Sequence, residues 1–422
     1  MRFVSTRGGS PPVPFRTALF GSLAPDGGLY VADHLPPIDL RALTDASLIE
    51  VGQTIAALVV GGDLERVTLD RAIATALDFP IPLVPLGEGM AVLELFHGPT
   101  FAFKDVGARV MAQLMAALHD ADRALTILVA TSGDTGSAVA QAFAGLAGTR
   151  VVVLFPFGKV TPVQEAQFAT IGGNVHAVGV NGTFDDCQRL VKAAFADPGL
   201  RSQALLTSAN SINIGRLLPQ TFYYAHTALT HGREPIVFSV PSGNFGNLTA
   251  GVMAWRLGAP IARFVAATTV NDVFPRYLST GRYEPGPSVP TLANAMDVGH
   301  PSNVERLRAL FDDDLDRMRL MIHASSHTDL EVRQAIRHVW EEFNYVCDPH
   351  TAIGYLGLQA HAPAPAHRVF LATAHPAKFR ETVAPAIGRD VPLPAELAAA
   401  VARPRLVERI APTLEALRPL LV

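Results

Sequence analysis

Short apolar runs alternate with helical stretches over most of the chain after residue 90. The apolar runs, rich in residues that favour strands, occur at 125–130, 151–155, 236–240, 264–269 and 368–373. Helical stretches separate them, for example at 106–118, 135–146, 185–195 and 247–257. Continuous apolar strands between helices are typical of a mainly parallel sheet covered on both faces. The pattern therefore predicts an α/β fold of mainly parallel, twisted sheets covered by helices, with ligands beyond the carboxyl ends of the strands.

The first ninety residues follow a different, mixed pattern. A short extended segment at 3–6 leads to a turn-rich segment around Gly27 and Gly28. Apolar residues then recur at helical spacing from about Asp45 to Ala76. We predict an added N-terminal α+β region (residues 1–90) and two α/β regions (residues 91–235 and 236–422).

Composition narrows the function classes. The 422 residues carry a formal net charge of -4, which gives no reason to expect nucleic acid or an anionic membrane as a partner. The two cysteines, Cys187 and Cys347, and the 14 histidines show no metal-binding spacing, so no metal site is expected. A secretory signal and an apolar run of 18 residues are both missing from the sequence, which predicts a cytoplasmic protein.

Lysine is rare in this chain, and one lysine has unusual neighbours. The four lysines are Lys104, Lys159, Lys192 and Lys378. Lys104 stands between phenylalanines in the sequence FAFKD, at the predicted start of a helix. An apolar pocket and a helix N-terminus both lower the pKa of an amine and suit it to imine formation. The alternative is a lysine that extends past aromatic neighbours into solvent; Lys378, beside Phe379, is the rival for imine chemistry.

The segment SGNFGN, residues 242–247, follows one apolar strand and precedes an apolar helix. A strand, a glycine turn and a helix can point backbone N–H groups at a phosphate, aided by the helix dipole. The segment matches neither a dinucleotide fingerprint nor a P-loop, so a small phosphorylated cofactor fits better. A plain tight turn is the alternative interpretation.

Two further polar segments occupy comparable positions. Hydroxyls and N–H groups of TSGDTG, residues 131–136, are suited to a carboxylate, although Ser132, Asp134 and Thr135 are also good N-cap residues. In SINIGR, residues 211–216, Arg216 follows small polar residues and suits a phosphate or carboxylate; the alternative is a helix cap with an exposed arginine.

The segment ATAHP, residues 372–376, closes the last predicted strand. The hydroxyl of Thr373 is placed to hydrogen-bond a ring nitrogen, whereas a structural role is expected for His375.

These motifs, in this order, resemble those of the threonine synthases. The resemblance rests on FHGPTFAFKDVGAR, ATSGDTGSA, GKVTPVQEAQF, SANSINIGRLLPQ, PSGNFGN, AMDVGHPSN and ATAHPAKF, with STRG and LAPDGGLYV near the start. It covers about residues 3–380; the tail beyond about 385 is less familiar and is expected to pack as helices. The resemblance implies the β-family fold, fold type II, of the pyridoxal-phosphate enzymes, with an added N-terminal region.

The resemblance also implies roles for particular residues. Lys104 corresponds to the Schiff-base lysine, and Thr373 to the residue that faces the pyridine nitrogen. The cofactor-phosphate loop corresponds to Gly243, Asn244, Phe245, Gly246 and Asn247. The residues expected near the substrate are Ser132, Asp134 and Thr135 for its carboxylate and Ser211, Asn213 and Arg216 for its phosphate.

The implied reaction converts O-phospho-L-homoserine and water to L-threonine and phosphate, with pyridoxal 5'-phosphate as cofactor. The implied partner is therefore a small molecule, and a monomer or homodimer is expected. Two alternatives stay open from the sequence: a related phospho-lyase that releases phosphate without adding water at Cβ, and a non-catalytic cofactor-binding homologue.

Overall fold

The computed structural model describes residues 1–87, 89–119, 124–230, 235–361 and 367–422. Its strands are β1 (Phe3–Ser5), β2 (Tyr30–Ala32), β3 (Leu83–Gly87), β4 (Met90–Glu94), β5 (Leu125–Ala130), β6 (Thr149–Pro156), β7 (Val175–Val180), β8 (Leu205–Ser208), β9 (Ile236–Pro241), β10 (Ile261–Thr268), β11 (Ile322–Ser326), β12 (His367–Ala372) and β13 (Val407–Ile410).

The α-helices are α1 (Phe15–Gly21), α2 (Leu48–Val60), α3 (Arg66–Ala76), α4 (Lys104–Leu118), α5 (Asp134–Phe143), α6 (Pro162–Ala169), α7 (Phe184–Ala196), α8 (Pro198–Gln203), α9 (Ile214–Leu217), α10 (Gln220–Thr230), α11 (Gly246–Arg256), α12 (Val273–Thr280), α13 (Val304–Leu310), α14 (Leu315–Met321), α15 (Asp329–Phe343), α16 (Pro349–His361), α17 (Arg380–Ile387), α18 (Ala395–Ala402) and α19 (Leu414–Leu417). Short 3-10 helices lie at Leu40–Leu43, Gly61–Asp63, Asn294–Met296, Pro376–Phe379 and Arg418–Leu420.

Two mainly parallel sheets form the centre of the molecule. One has six strands in the order β11-β10-β9-β12-β4-β3, and the other has five in the order β13-β7-β6-β5-β8. Among the described strands of these two sheets, only β3, on the edge of the larger sheet, runs antiparallel to its neighbour. Strand β5 is buried at every position, as expected for a central strand with helices on both faces. The predicted α/β class with mainly parallel sheets is confirmed.

The N-terminal region adds a small antiparallel pair, β1 with β2, and the helices α1 to α3. The helical periodicity between Asp45 and Ala76 belongs to two helices rather than one. The first starts at a capping box between Ser47 and Glu50 and ends at Gly61, whose φ of 60° stops the helix. Helix α2 packs against α10 and helix α3 packs against α4, so the region shares the main core.

The tail corrects one expectation. Residues after about 385 do not pack only as helices, because β13 pairs in parallel with β7 and extends the five-stranded sheet. The middle two positions of β13 are exposed, as on an edge strand, so the segment has no apolar run that would identify it in the sequence.

The sheets also exchange strands across the predicted regional boundaries. Strand β4 lies in the six-stranded sheet with strands from 236–372, whereas β13 lies in the sheet built from 125–208. The division of the chain at 90 and 235 stays a prediction.

Candidate active site

The polar segments singled out in the sequence meet in one cavity. They follow the carboxyl ends of β5, β8, β9 and β12, and the start of α4 completes the wall. The cavity has a volume of about 270 Å³. Every site residue predicted from the sequence lines it except Asn213: Lys104, Ser132, Asp134, Thr135, Ser211, Arg216, Gly243, Asn244, Phe245, Gly246, Asn247 and Thr373.

Lys104 is the first residue of α4, and its amine faces the cavity instead of extending into bulk solvent. The side chain is only 15% exposed, and Nζ lies 4.9 Å from the centre of the Phe103 ring. Burial of the amine lowers the pKa of Lys104 to about 8, although the carboxylate of Asp134 acts in the opposite direction. A fraction of Lys104 is therefore an uncharged nucleophile near neutral pH.

The rival lysine, Lys378, lies just outside this cavity. Its amine is fully buried and donates to Asp134 Oδ1 at 2.7 Å and to the carbonyl of Thr100 at 2.9 Å. It is missing from the cavity lining, so it is not placed to form an imine with a ligand there.

The turn after β5 is held by a residue to which the sequence assigned no role. Thr131 Oγ1 accepts from the N–H groups of Gly133 and Gly136 at 2.9 and 2.8 Å. No side chain caps α5 in the way proposed for Ser132, Asp134 and Thr135, so the capping explanation is wrong.

Ser132, Asp134 and Thr135 therefore line the cavity with hydroxyls, N–H groups and one carboxylate. Burial opposes the charge on the Asp134 carboxyl, yet the neighbouring ammonium groups of Lys378 and Lys104 hold its pKa well below the usual range. Asp134 is thus ionised, and an anionic ligand at this turn has to contact N–H and hydroxyl groups instead of this side chain.

Arg216 lies in α9 and is buried, contrary to the alternative of an exposed arginine. One guanidinium nitrogen donates to the carbonyl of Ala209, whereas Nε has no hydrogen-bond partner among the described residues. Burial lowers the pKa of Arg216 to about 10, which still leaves it cationic at neutral pH. A buried cation with an unused donor in a cavity wall is suited to an anionic ligand.

Asn213 is the site residue that the structure corrects. Its Oδ1 caps α9 by accepting from Gly215 N at 2.9 Å, and its Nδ2 donates to Leu19 O, Ser22 Oγ and Ser208 O. The side chain is fully buried and does not line the cavity, so Asn213 is not a substrate ligand. It ties the N-terminal region to the 209–216 segment.

The turn between β9 and α11 has the geometry expected of a phosphate site. Phe245 adopts φ 59°, and α11 begins at the next residue. The first N–H groups of this eleven-residue helix therefore lie in the cavity wall. Gly243 is required because a Cβ there would lie 2.6 Å from the Cα of Met296. Asn247 Oδ1 accepts from both Tyr223 and Tyr224, at 2.6 and 2.8 Å, which fixes the amide orientation.

That orientation leaves the Nδ2 donor of Asn247 buried and without a partner among the described residues, in the cavity wall. Since a buried donor is rarely left unsatisfied in a native protein, this position is suited to an oxygen-rich ligand.

Thr373 follows β12 directly and presents its side chain to the cavity. Its carbonyl accepts from Phe103 N at 2.9 Å, which ties the end of β12 to the start of α4. Nearby, His375 accepts from Ala377 N at 3.2 Å and packs edge-on against Phe96. Burial lowers the pKa of His375 to about 4, and these contacts fit the structural role expected for it.

One residue of the cavity wall was missed in the sequence. His350, at the start of α16, shares a 2.6 Å hydrogen bond through Nδ1 with Asp348, and its Nε2 has no partner among the described residues. The only local signal is the short sequence DPH at a helix start, which is too common to single out.

Among the residues that the structure describes, no group of three or more His, Cys, Asp and Glu side chains could hold a metal ion. Within the same ranges, every helix is too short or too polar to span a bilayer.

Three family models match the chain. The model described as "Pyridoxal-phosphate dependent enzyme" matches residues 80–373, which include every predicted residue that lines the cavity. "Threonine synthase N terminus" matches residues 2–77, and "Threonine synthase, C-terminal" matches residues 351–420.

Similar proteins cover nearly the whole chain. The threonine synthase of Haemophilus influenzae is 45% identical over 392 residues, 91% of this chain and 91% of that protein. The crystal structure of threonine synthase from Escherichia coli has a TM-score of 0.93 at 39% identity and covers 100% of this chain and 99% of that one. The pyridoxal-phosphate-bound threonine synthase from Brucella melitensis has a TM-score of 0.93 at 37% identity, with 99% and 98% covered. The fold type expected from the resemblance is confirmed.

Proposed function

This chain belongs to the threonine synthase family, and we propose from its cavity how its own residues carry out that family's reaction. It is a pyridoxal-phosphate-dependent lyase that converts O-phospho-L-homoserine and water to L-threonine and phosphate. The observation that carries the assignment of roles is that one cavity combines the buried amine of Lys104, the start of α11 and the separate buried cation of Arg216.

The cavity residues fit the cofactor. We assign its phosphate to the N–H groups at 243–247 and to the unpaired Nδ2 of Asn247, because helix N-termini and buried donors favour an anion. Lys104 would hold the cofactor through its amine, and Thr373 would present a hydroxyl to the ring nitrogen. When bound, pyridoxal 5'-phosphate supplies the electron sink for the reaction, and the protein supplies position and charge.

Two separate anion positions hold the substrate. The N–H and hydroxyl groups of Ser132 and Thr135 bind the carboxylate, and Arg216 with Ser211 binds the phosphate. Ser211 Oγ accepts from Asn244 Nδ2 at 2.6 Å, so its own hydroxyl hydrogen is free to donate to a phosphate oxygen. Asn213 is not assigned to the phosphate position, because its amide is already hydrogen-bonded within the protein.

Lys104 moves the protons. Once its amine is free, Lys104 would take the proton from the substrate Cα and later return one there, as general base and general acid. A pKa of about 8 suits both roles near neutral pH, since neither the charged nor the neutral form is scarce. The hydroxyl of Thr373, unlike a carboxylate, would leave the ring nitrogen of a bound cofactor largely unprotonated, which would favour β/γ chemistry over transamination.

Product analysis tests the overall reaction. The purified enzyme with cofactor and O-phospho-L-homoserine is expected to form one threonine for each phosphate released. In water labelled with oxygen-18, the label should appear in the threonine hydroxyl. Release of phosphate without threonine would instead identify the phospho-lyase, and no release would identify the non-catalytic homologue.

The turn at 243–247 gives a further prediction. Gly246→Asp places a negative charge at the first residue of α11, where the cofactor phosphate is assigned. Because like charges in contact cost several kcal/mol, affinity for pyridoxal 5'-phosphate should fall about 100-fold or more. Titration of the apoenzyme, followed by absorbance, measures it.

The matched control is Gly286→Asp, in an exposed loop where an added Cβ meets no atom within 4 Å. It should bind the cofactor like the wild type. Unchanged affinity in a folded Gly246→Asp protein would remove the phosphate from this turn.

We also propose a cytoplasmic location and a monomer or homodimer. Light scattering after size-exclusion chromatography gives the mass directly, for comparison with the 44.9 kDa of one chain.

A further inference from the structure

A single buried carboxylate lies between two lysines at the edge of the cavity. Asp134 Oδ1 accepts from Lys378 Nζ at 2.7 Å and from Gln164 Nε2 at 3.0 Å. Its other oxygen, Oδ2, lies 3.9 Å from Lys104 Nζ, beyond hydrogen-bonding distance. The two amines therefore share the carboxylate unequally, and the close ion pair belongs to Lys378.

Burial makes this division important. The side chains of Asp134 and Lys378 are 2% and 0% exposed, so an ionised carboxylate without a cation in contact would be costly there. If Lys378 were missing, Lys104 would be the nearest amine that could neutralise Asp134. As an ammonium ion in that pair, Lys104 would have no lone pair with which to attack a carbonyl carbon.

We propose that Lys378 is a positioning residue that occupies the carboxylate of Asp134 and so keeps the amine of Lys104 free to form its imine. The inference rests on the proposed role of Lys104. In the step concerned, the neutral amine adds to the aldehyde carbon of the cofactor, a C=N bond forms, and the aldehyde oxygen leaves as water.

The other charged groups near Lys104 and Asp134 do not take over the role of Lys378 as the close cation of Asp134. Arg216 and Asp348 act on Lys104 from α9 and from the start of α16, with opposite signs, and His350 acts on Asp134. Burial is the main cause that lowers the pKa of Lys104; Lys378 and Arg216 lower it further, whereas Asp134 and Asp348 raise it.

The test follows imine formation in the apoenzyme. Pyridoxal 5'-phosphate is added at a series of pH values, and the rate of imine formation gives the pH at which half of Lys104 is deprotonated. Because the chain has only four lysines, NMR of apoprotein reductively methylated with carbon-13 measures the same midpoint independently of the cofactor.

Lys378→Met should raise the midpoint of Lys104 by about one to three pH units, the usual effect of an opposite charge in close contact. Asp134→Asn should lower it, because Lys104 would then face the uncompensated cation of Lys378. The double variant, which replaces the whole pair by neutral groups, should return to within about one pH unit of the wild type, a tenfold change in the protonation equilibrium. Lys159→Met, which removes an exposed lysine, is the control and should change nothing.

An unchanged or lower midpoint in Lys378→Met overturns the inference. If that variant does not fold, the double variant decides, since it leaves no buried charge unpaired: a midpoint more than about one pH unit from the wild type overturns the inference. Borohydride reduction of the wild type separates the two proposals. If Lys104 is labelled but Lys378→Met leaves its midpoint unchanged, only this inference is wrong. If Lys104 is not labelled, the proposed function is wrong as well.

Discussion

Lys104→Ala is expected to abolish threonine formation, with a loss of more than about 10⁴-fold, because one amine both holds the cofactor and moves the Cα proton. The variant should fold normally, since Lys104 is at the start of α4 and its amine points into a cavity instead of holding two elements together. Absorbance near 410–420 nm, the region of the protonated imine, should disappear. Turnover is measured as phosphate and threonine released from O-phospho-L-homoserine.

Lysine scarcity makes the control for this experiment unusually clean. Borohydride reduction of the wild type followed by peptide mapping has only four possible lysine targets. Lys192→Ala is the matched variant, since Lys192 also lines the cavity but is exposed, and it should keep the imine band. Label on Lys192 or Lys378 in the wild type would show that the assignment to Lys104 is wrong.

Arg216→Ala is expected to weaken use of O-phospho-L-homoserine strongly while the cofactor stays bound. Loss of a charge-assisted contact to a buried partner costs about 2–5 kcal/mol, or roughly 30-fold to several thousand-fold in kcat/KM. Arg216→Lys should recover only part, because a point charge lacks the planar fork that binds phosphate oxygens in pairs. Steady-state kinetics measure the loss, and the imine band reports the bound cofactor.

Arg109→Ala is the control for loss of a guanidinium in the same part of the fold. Arg109 lies in α4, the helix that packs beside the Arg216 helix α9. Its guanidinium donates to the carbonyls of Ala76 and Thr75 and to Asp78, outside the cavity. It should leave kcat/KM close to the wild type. Near-normal kcat/KM in Arg216→Ala, or equal turnover of unphosphorylated homoserine by the wild type, would show that no phosphate position exists at Arg216.

The local pattern of apolar and polar residues was sufficient to predict the features of this protein that depend on neighbours in the sequence. Continuous apolar runs predicted strands such as β5 and β9, because a strand covered on both faces has no polar side. The same pattern placed the polar motifs after strand ends, and parallel strands bring those ends to one edge of a sheet. Arginine cannot form an imine, so the lysine count alone left four candidates for the residue that binds the cofactor, one of them Lys104.

The sequence could not decide which polar side chains remain free for a ligand. Asn213 and Arg216 are three residues apart, and the family resemblance placed both near the substrate phosphate, with Arg216 as the stronger candidate. Their difference arises from distant contacts: the amide of Asn213 donates to Leu19 and Ser22, about 190 residues earlier in the chain, while Nε of Arg216 has no partner among the described residues. Hydrogen bonds over such separations leave no periodic trace in the sequence.

The sequence by itself thus determined the fold class, the family resemblance, the order of the motifs and the few lysines from which the catalytic one comes. Only the tertiary structure decided that Lys378 pairs with Asp134, that Asn213 is a cap, that His350 faces the cavity and that β13 completes a sheet. The physical reason is the same in each case. Strand and helix patterns follow from the burial of successive residues. The protonation of a charged group and the hydrogen bonds of an amide depend instead on which distant groups lie beside it in the folded core.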